Sequence, residues 1–87
     1  MVLRIERTEG ADSLLVVLSG RIELQHLSEL EAILAAESRR VVIDFKEIRR
    51  VDRDAIQTLA SWNADGVSFE NCPAYLRDWI AKLQGQK

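Results

Sequence analysis

One cysteine, one histidine and four glycines in 87 residues narrow the field before any motif is read. A lone cysteine cannot close an internal disulfide, which excludes a disulfide scaffold and fits a reducing cytosol. The glycines needed for a phosphate loop or a dinucleotide fingerprint are missing. No His/Cys/Asp cluster has metal-ligand spacing, and no cofactor is expected. The longest aliphatic run, Leu14 to Leu18, falls far short of the ~20 residues that span a bilayer. Met1 to Glu6 carries charge where a signal peptide keeps its apolar segment, so a cytoplasmic protein, not embedded in a membrane, is expected. The net charge of −2 argues against electrostatic nucleic-acid binding. Half of the twelve basic residues lie between Arg39 and Arg53, yet Asp44, Glu47 and Asp52 sit among them. Interleaved charge of this kind reads as a solvated loop.

What is present is an ordinary globular composition, 47% apolar, in a chain somewhat above the ~70–80 residues below which one core rarely suffices. A single domain over residues 1–87 is expected. Leu3 and Ile5 alternate with Arg4 and Glu6, the pattern of a strand with one wet face. Thr8 to Ser13 is turn chemistry, and Leu14 to Ser19 is a second strand, apolar on both faces. The short connection predicts an antiparallel hairpin with the second strand central. Gly20-Arg21-Ile22-Glu23 leaves the sheet. Leu27, Leu30, Ile33 and Leu34 then recur at helical spacing, with Ser28 and Glu31 spaced as a capping box. Glu37 to Arg40 ends this helix with basic residues suited to its negative pole.

Val41 to Phe45 is a short β-branched run that reads as a buried strand, parallel to the second because a helix separates them. A charged loop from Lys46 to Val51 follows, anchored by Ile48 and Val51. Asp52 stands where a helix N-cap belongs, ahead of Ile56, Leu59 and Ala60. Asp65-Gly66 stops that helix near Ala64. Val67 to Phe69 is a short last strand, and Pro73 opens a third helix whose inward stripe is Leu76, Trp79, Ile80 and Leu83. Gly85-Gln86-Lys87 reads as a frayed end. The order ββαβαβα predicts an α/β domain, a mixed sheet of about four strands with three helices packed against it.

Asp52 and Asp54 are a poor acid/base pair, since neighbours at a helix start point apart and no histidine, lysine or serine is tied to them by spacing. An aspartyl-phosphate receiver would need acidic residues from separate strands. His26 reads as a cap or surface residue. Cys72 reads as a half-buried structural thiol, although a helix start can acidify one. Trp62 is assigned to the core by default, while exposure would mark a protein contact.

Gly20-Arg21-Ile22-Glu23 leading into Leu27-Ser28-Glu29-Leu30, the strand Val41 to Phe45, and Val51-Asp52-Arg53-Asp54-Ala55 together resemble the STAS domain of bacterial anti-sigma-factor antagonists. The resemblance covers nearly the whole chain. It implies a non-catalytic protein-interaction domain that regulates transcription by partner switching, its partner an anti-sigma factor or serine-kinase-like protein. In such antagonists a hydrophobic–Asp–Ser–Ser–Gly motif is phosphorylated on its second serine, and the phosphate breaks the complex. Asp54 stands at that position, Arg53 at the first serine and Ala55 at the glycine; only Asp52 is retained. Asp54 carries one fixed charge against about −1.5 to −2 for a phosphate. Either it stabilises the helix end or it freezes the switch near its phosphorylated state. The helix after Asp52 is also shorter than the family's by roughly two turns. The expected binding face is Arg21, Glu23, Arg50, Asp52, Arg53, Asp54 and Ala55. Partner readings extend to a homodimer, to an accessory subunit of a transporter or signalling assembly, and, in another class, to a small-ligand or nucleotide-binding domain.

Overall fold

Residues 3–85 are described by the computed structural model; Met1, Val2, Gln86 and Lys87 lie outside the described residues, and of the end expected to fray Gly85 is described and closes the last helix. Strands β1 (Arg4–Glu9) and β2 (Ser13–Ile22) form the hairpin, closed by Gly10 N–H donating to the Ser13 carbonyl at 2.9 Å. A 3-10 turn at Leu24–His26 leads into α1 (Leu27–Ala36), then β3 (Arg40–Val51), α2 (Arg53–Ala64), β4 (Ser68–Glu70) and α3 (Ala74–Gly85). The sheet order is β1-β2-β3-β4, with the hairpin antiparallel and the other two pairings parallel. This is the ββαβαβα order read from the sequence, with each parallel pair joined through a helix as a crossover requires.

Leu14, Val16 and Leu18 of β2 and Val41, Ile43 and Phe45 of β3 are buried, while the residues between them are only half-buried. They form one core with Leu27 and Leu30 of α1, five residues of α2 and Leu76 and Ile80 of α3. The helices therefore cover one face of the sheet, because successive side chains on a strand point to opposite faces. Leu15, Val17 and Val42 look away from them, so β2 is apolar on both faces but deeply buried on only one.

Both central strands run further than their apolar runs. Lys46 to Val51 is not a loop: Glu47, Ile48, Arg50 and Val51 pair with Ser19, Gly20, Arg21 and Ile22. Two register shifts, between Val17 and Ser19 and between Gly20 and Arg21, break the alternation that would have announced this. Gly20 sits at the second shift with φ 96°, a conformation that a side chain resists. The start and end of α1 also differ from expectation. Ser28 Oγ donates to the Gln25 carbonyl at 3.3 Å, so the Ser28–Glu31 capping box does not form, and His26 makes no side-chain cap bond. The last turn holds no basic residue.

Arg39 instead turns sideways. It donates to Glu37 through Nε (2.6 Å) and Nη2 (3.0 Å), to the Gly10 carbonyl at 2.8 Å and to Glu9 at 3.1 Å, tying the entry of β3 to the hairpin. The side-chain bonds from Arg39, aided by its backbone N–H, pull the Glu37 carboxyl from 4.5 down to about 2. A carboxyl held below its unfolded value stabilises the fold above that value and stops doing so as pH falls through the folded one. Glu37→Gln should therefore lower the urea midpoint at pH 6–7, and the gap to wild type should close between about pH 4.5 and 2. A gap unchanged at pH 2.5 would show that this pair is not its source.

The end of α2 follows the sequence closely. Gly66 N–H donates to the Asn63 carbonyl (3.2 Å) and Val67 N–H to the Trp62 carbonyl (3.1 Å), the paired bonds of a Schellman cap. Gly66 has φ 108° and no atom within 4 Å of the place a methyl group would take, so alanine there meets backbone strain rather than a clash. Gly66→Ala should cost about 1–2 kcal/mol, read as a fall of several degrees in Tm; an unchanged Tm would contradict this cap geometry.

Candidate functional site

The parallel strands β2 and β3 end side by side, and the chain turns at Asp52 into α2. Asp52 has the extended φ/ψ of an N-cap (−70°, 147°), and its carbonyl accepts from Ala55 N–H at 3.0 Å. Its carboxylate does not cap the helix, contrary to the sequence reading. It accepts from Arg21 Nε at 3.0 Å and Nη2 at 3.3 Å, while Asp52 N–H donates to the Ile22 carbonyl at 2.9 Å. The end of β2 thus competes successfully for the carboxylate: a guanidinium offers two charge-assisted bonds where a helix start offers one neutral donor at a time. The same bonds and charge raise the Arg21 pKa further. Glu23 joins the cluster, 3.5 Å from Arg21 Nε and 3.5 Å from His26 Nδ1.

Arg21, Arg50, Asp52, Arg53 and Asp54 line one groove of about 870 Å3, open to solvent at the carboxyl ends of the central strands. Arg53 and Asp54 are exposed on the first turn of α2, and Asp54 has no hydrogen-bond or ion-pair partner among the described residues. Glu23 supports the groove through Arg21. Ala55, expected on the contact face, is wholly buried and belongs to the core, so it sets the height of the helix start without touching a partner.

Trp79 was missed as a site residue. Placed by sequence in the inward stripe of α3, it is 42% exposed at the groove wall, with the Arg53 guanidinium carbon and the Lys82 ammonium each 5.8 Å from its ring centroid. Leu76, Ile80 and Leu83 already complete a one-sided stripe at i, i+4 and i+7, which leaves Trp79 on its flank. The Trp79–Lys82 spacing of three was the available signal. Trp62, by contrast, is in the core. Cys72 is half-buried, and burial raises its thiol pKa, so the helix start does not acidify it. A second cleft of about 390 Å3, bordered by Leu34, Arg39 and Trp62 at the other end of β3, gathers none of the expected site residues. Among the described residues no group of three or more His, Cys, Asp or Glu is placed to hold a metal, and no helix is long and apolar enough to cross a membrane.

A mixed four-stranded sheet covered by helices on one face, with a polar groove where a helix starts at the ends of its parallel strands, defines a layered α/β domain. The family described as "Mlab, STAS domain" matches residues 5–81, and the chain belongs to the STAS domain family. No curated protein matches it.

Proposed function

We propose that this domain is a non-catalytic docking module of the partner-switching type, whose contact face is the groove at the start of α2. The observation that carries this reading is the Asp54 carboxylate, exposed and without a partner among the described residues, on a groove that Arg50 and Arg53 also line. It occupies the position at which related antagonists carry a phosphorylatable serine. A carboxylate cannot be phosphorylated as serine is, so here the charge is permanent and the switch is held on one side. Asp52 and Arg21 have a positioning role, since their bidentate pair fixes the helix start against β2.

An accessory-subunit role would be favoured by an exposed Trp62 and by self-association, and Trp62 is buried. A thermal-shift screen against nucleotides and metabolites separates the small-ligand class, for which a shift of several degrees is the signature. The direct test is affinity purification from the native host, followed by titration of the captured protein with wild type and Asp54→Ser. Removing the fixed charge should change affinity about five- to tenfold, as expected for a charged pair or repulsion at a contact face. Identical affinities would remove the switch from this account.

A further inference from the structure

The groove is cationic on a chain whose net charge is negative. Arg21, Arg50 and Arg53 line it against Asp52 and Asp54, and Lys82 adds a fourth cation over Trp79, on a protein of net charge −2. Asp52 is committed to Arg21, whereas Arg50, Arg53 and Lys82 have no carboxylate within ion-pair distance among the described residues. Half-buried Val51 and Leu83 line the same groove with the Trp79 ring, so part of its lining is apolar. Trp79 is 42% exposed, and the cations of Arg53 and Lys82, each 5.8 Å from its centroid, place positive charge beside an aromatic surface.

We infer that the groove between the start of α2 and α3 receives an acidic segment of a partner protein, its carboxylates meeting Arg50, Arg53 and Lys82 while one large apolar side chain packs against Trp79. This rests on the docking reading above and names the chemistry of the partner. A nucleic-acid strand fits less well: it needs a continuous cationic track for its phosphates, and Asp54 interrupts this one. Asp54 acts against an acidic segment, which makes the fixed charge a brake on the same contact.

The test uses the full chain and three synthetic twelve-residue peptides sharing the same leucine and phenylalanine positions, with glutamate, glutamine or lysine at all others, plus a single-stranded oligothymidine. Tryptophan fluorescence and calorimetry should show the glutamate peptide binding at least about fivefold more tightly than the glutamine peptide at low salt, with the difference lost near 0.5 M salt. Trp79→Ala should weaken the glutamate peptide about tenfold, as an aromatic anchor does. Arg53→Glu with Lys82→Glu should reverse the preference toward the lysine peptide. All three positions are on the surface, and circular dichroism checks that the variants fold. Equal binding of the glutamate and glutamine peptides, no binding of either, or preference for the oligothymidine overturns the inference. A partner captured from the host that docks on this groove through a neutral or basic segment overturns it too, while leaving the docking reading intact. If the glutamate peptide binds as expected but Asp54→Ser leaves its affinity unchanged, the acidic-segment inference stands and the switch reading falls.

Discussion

Phe45→Ala should lower the free energy of unfolding by about 3–5 kcal/mol, a large share of the ~5–15 kcal/mol by which domains of this kind are stable. Phe45 is 1% exposed and is among the largest fully buried side chains. Its ring meets Phe69 of β4 edge to face, with centroids 4.9 Å apart. That contact matters because β4 has only three residues, Ser68–Glu70, and among the described residues pairs with β3 alone. Removing the ring leaves a cavity and frees the edge strand, and with it the turn that carries the chain into α3. Near that turn Asn71, at φ 53°, donates to Asp44 Oδ1 at 3.0 Å, so two contacts secure the crossing from β4 to α3. Urea unfolding gives the measurement: the midpoint should fall with little change in m, and Phe45→Leu should recover most of the loss. A loss under about 1.5 kcal/mol would mean that the site collapses readily around the missing ring.

Ala55→Leu should have the second-largest effect, about 1–3 kcal/mol of overpacking, joined to a loss of the docking face. Ala55 has no exposed surface, and its N–H donates to the Asp52 carbonyl at 3.0 Å. Three added carbons must displace either the core or the first turn of α2. The first turn is the side with room to move, because Arg53 and Asp54 on it face solvent while the core behind Ala55 is packed. Its displacement would move Arg53 away from Trp79 and carry Asp54 out of its place on the groove. Partner affinity should therefore fall further than the loss of folded protein explains, and the amide resonances of Asp52 to Ala55 should shift more than those of β2. Ala55→Gly should cost about 1–2 kcal/mol, the helix penalty of glycine joined to the loss of one buried methyl group. If Ala55→Leu unfolds the chain without first shifting those resonances, Ala55 serves the core and not the groove.

The sequence by itself was enough for the order of elements. Leu14 to Leu18 is a short aliphatic run and Val41 to Phe45 a short run rich in β-branched residues, and the helix between them has its own spacing, so hairpin, crossover and parallel pairing follow from local chemistry. Asp65-Gly66 and Pro73 likewise marked helix boundaries that the fold keeps. The position of Asp54 on the first turn of α2 was legible for the same reason.

Tertiary structure decided where the charged side chains go. Asp52 had a good local partner in its own helix start, and a residue 31 positions away took its carboxylate instead. Arg39 could have served the end of α1 and bonds the hairpin. Lys46 to Val51 looks like a solvated loop until Ser19 to Ile22 is laid beside it with two shifts of register. Trp79 belongs to an apolar stripe on paper, yet α3 needs only Leu76, Ile80 and Leu83 to sit on the core, which leaves the indole at the groove. Apolar burial is written in short-range periodicity, because any core will accept it. Ion pairs, strand extension and the choice of which aromatic stays outside depend on distant residues meeting, and only the folded chain brings them together.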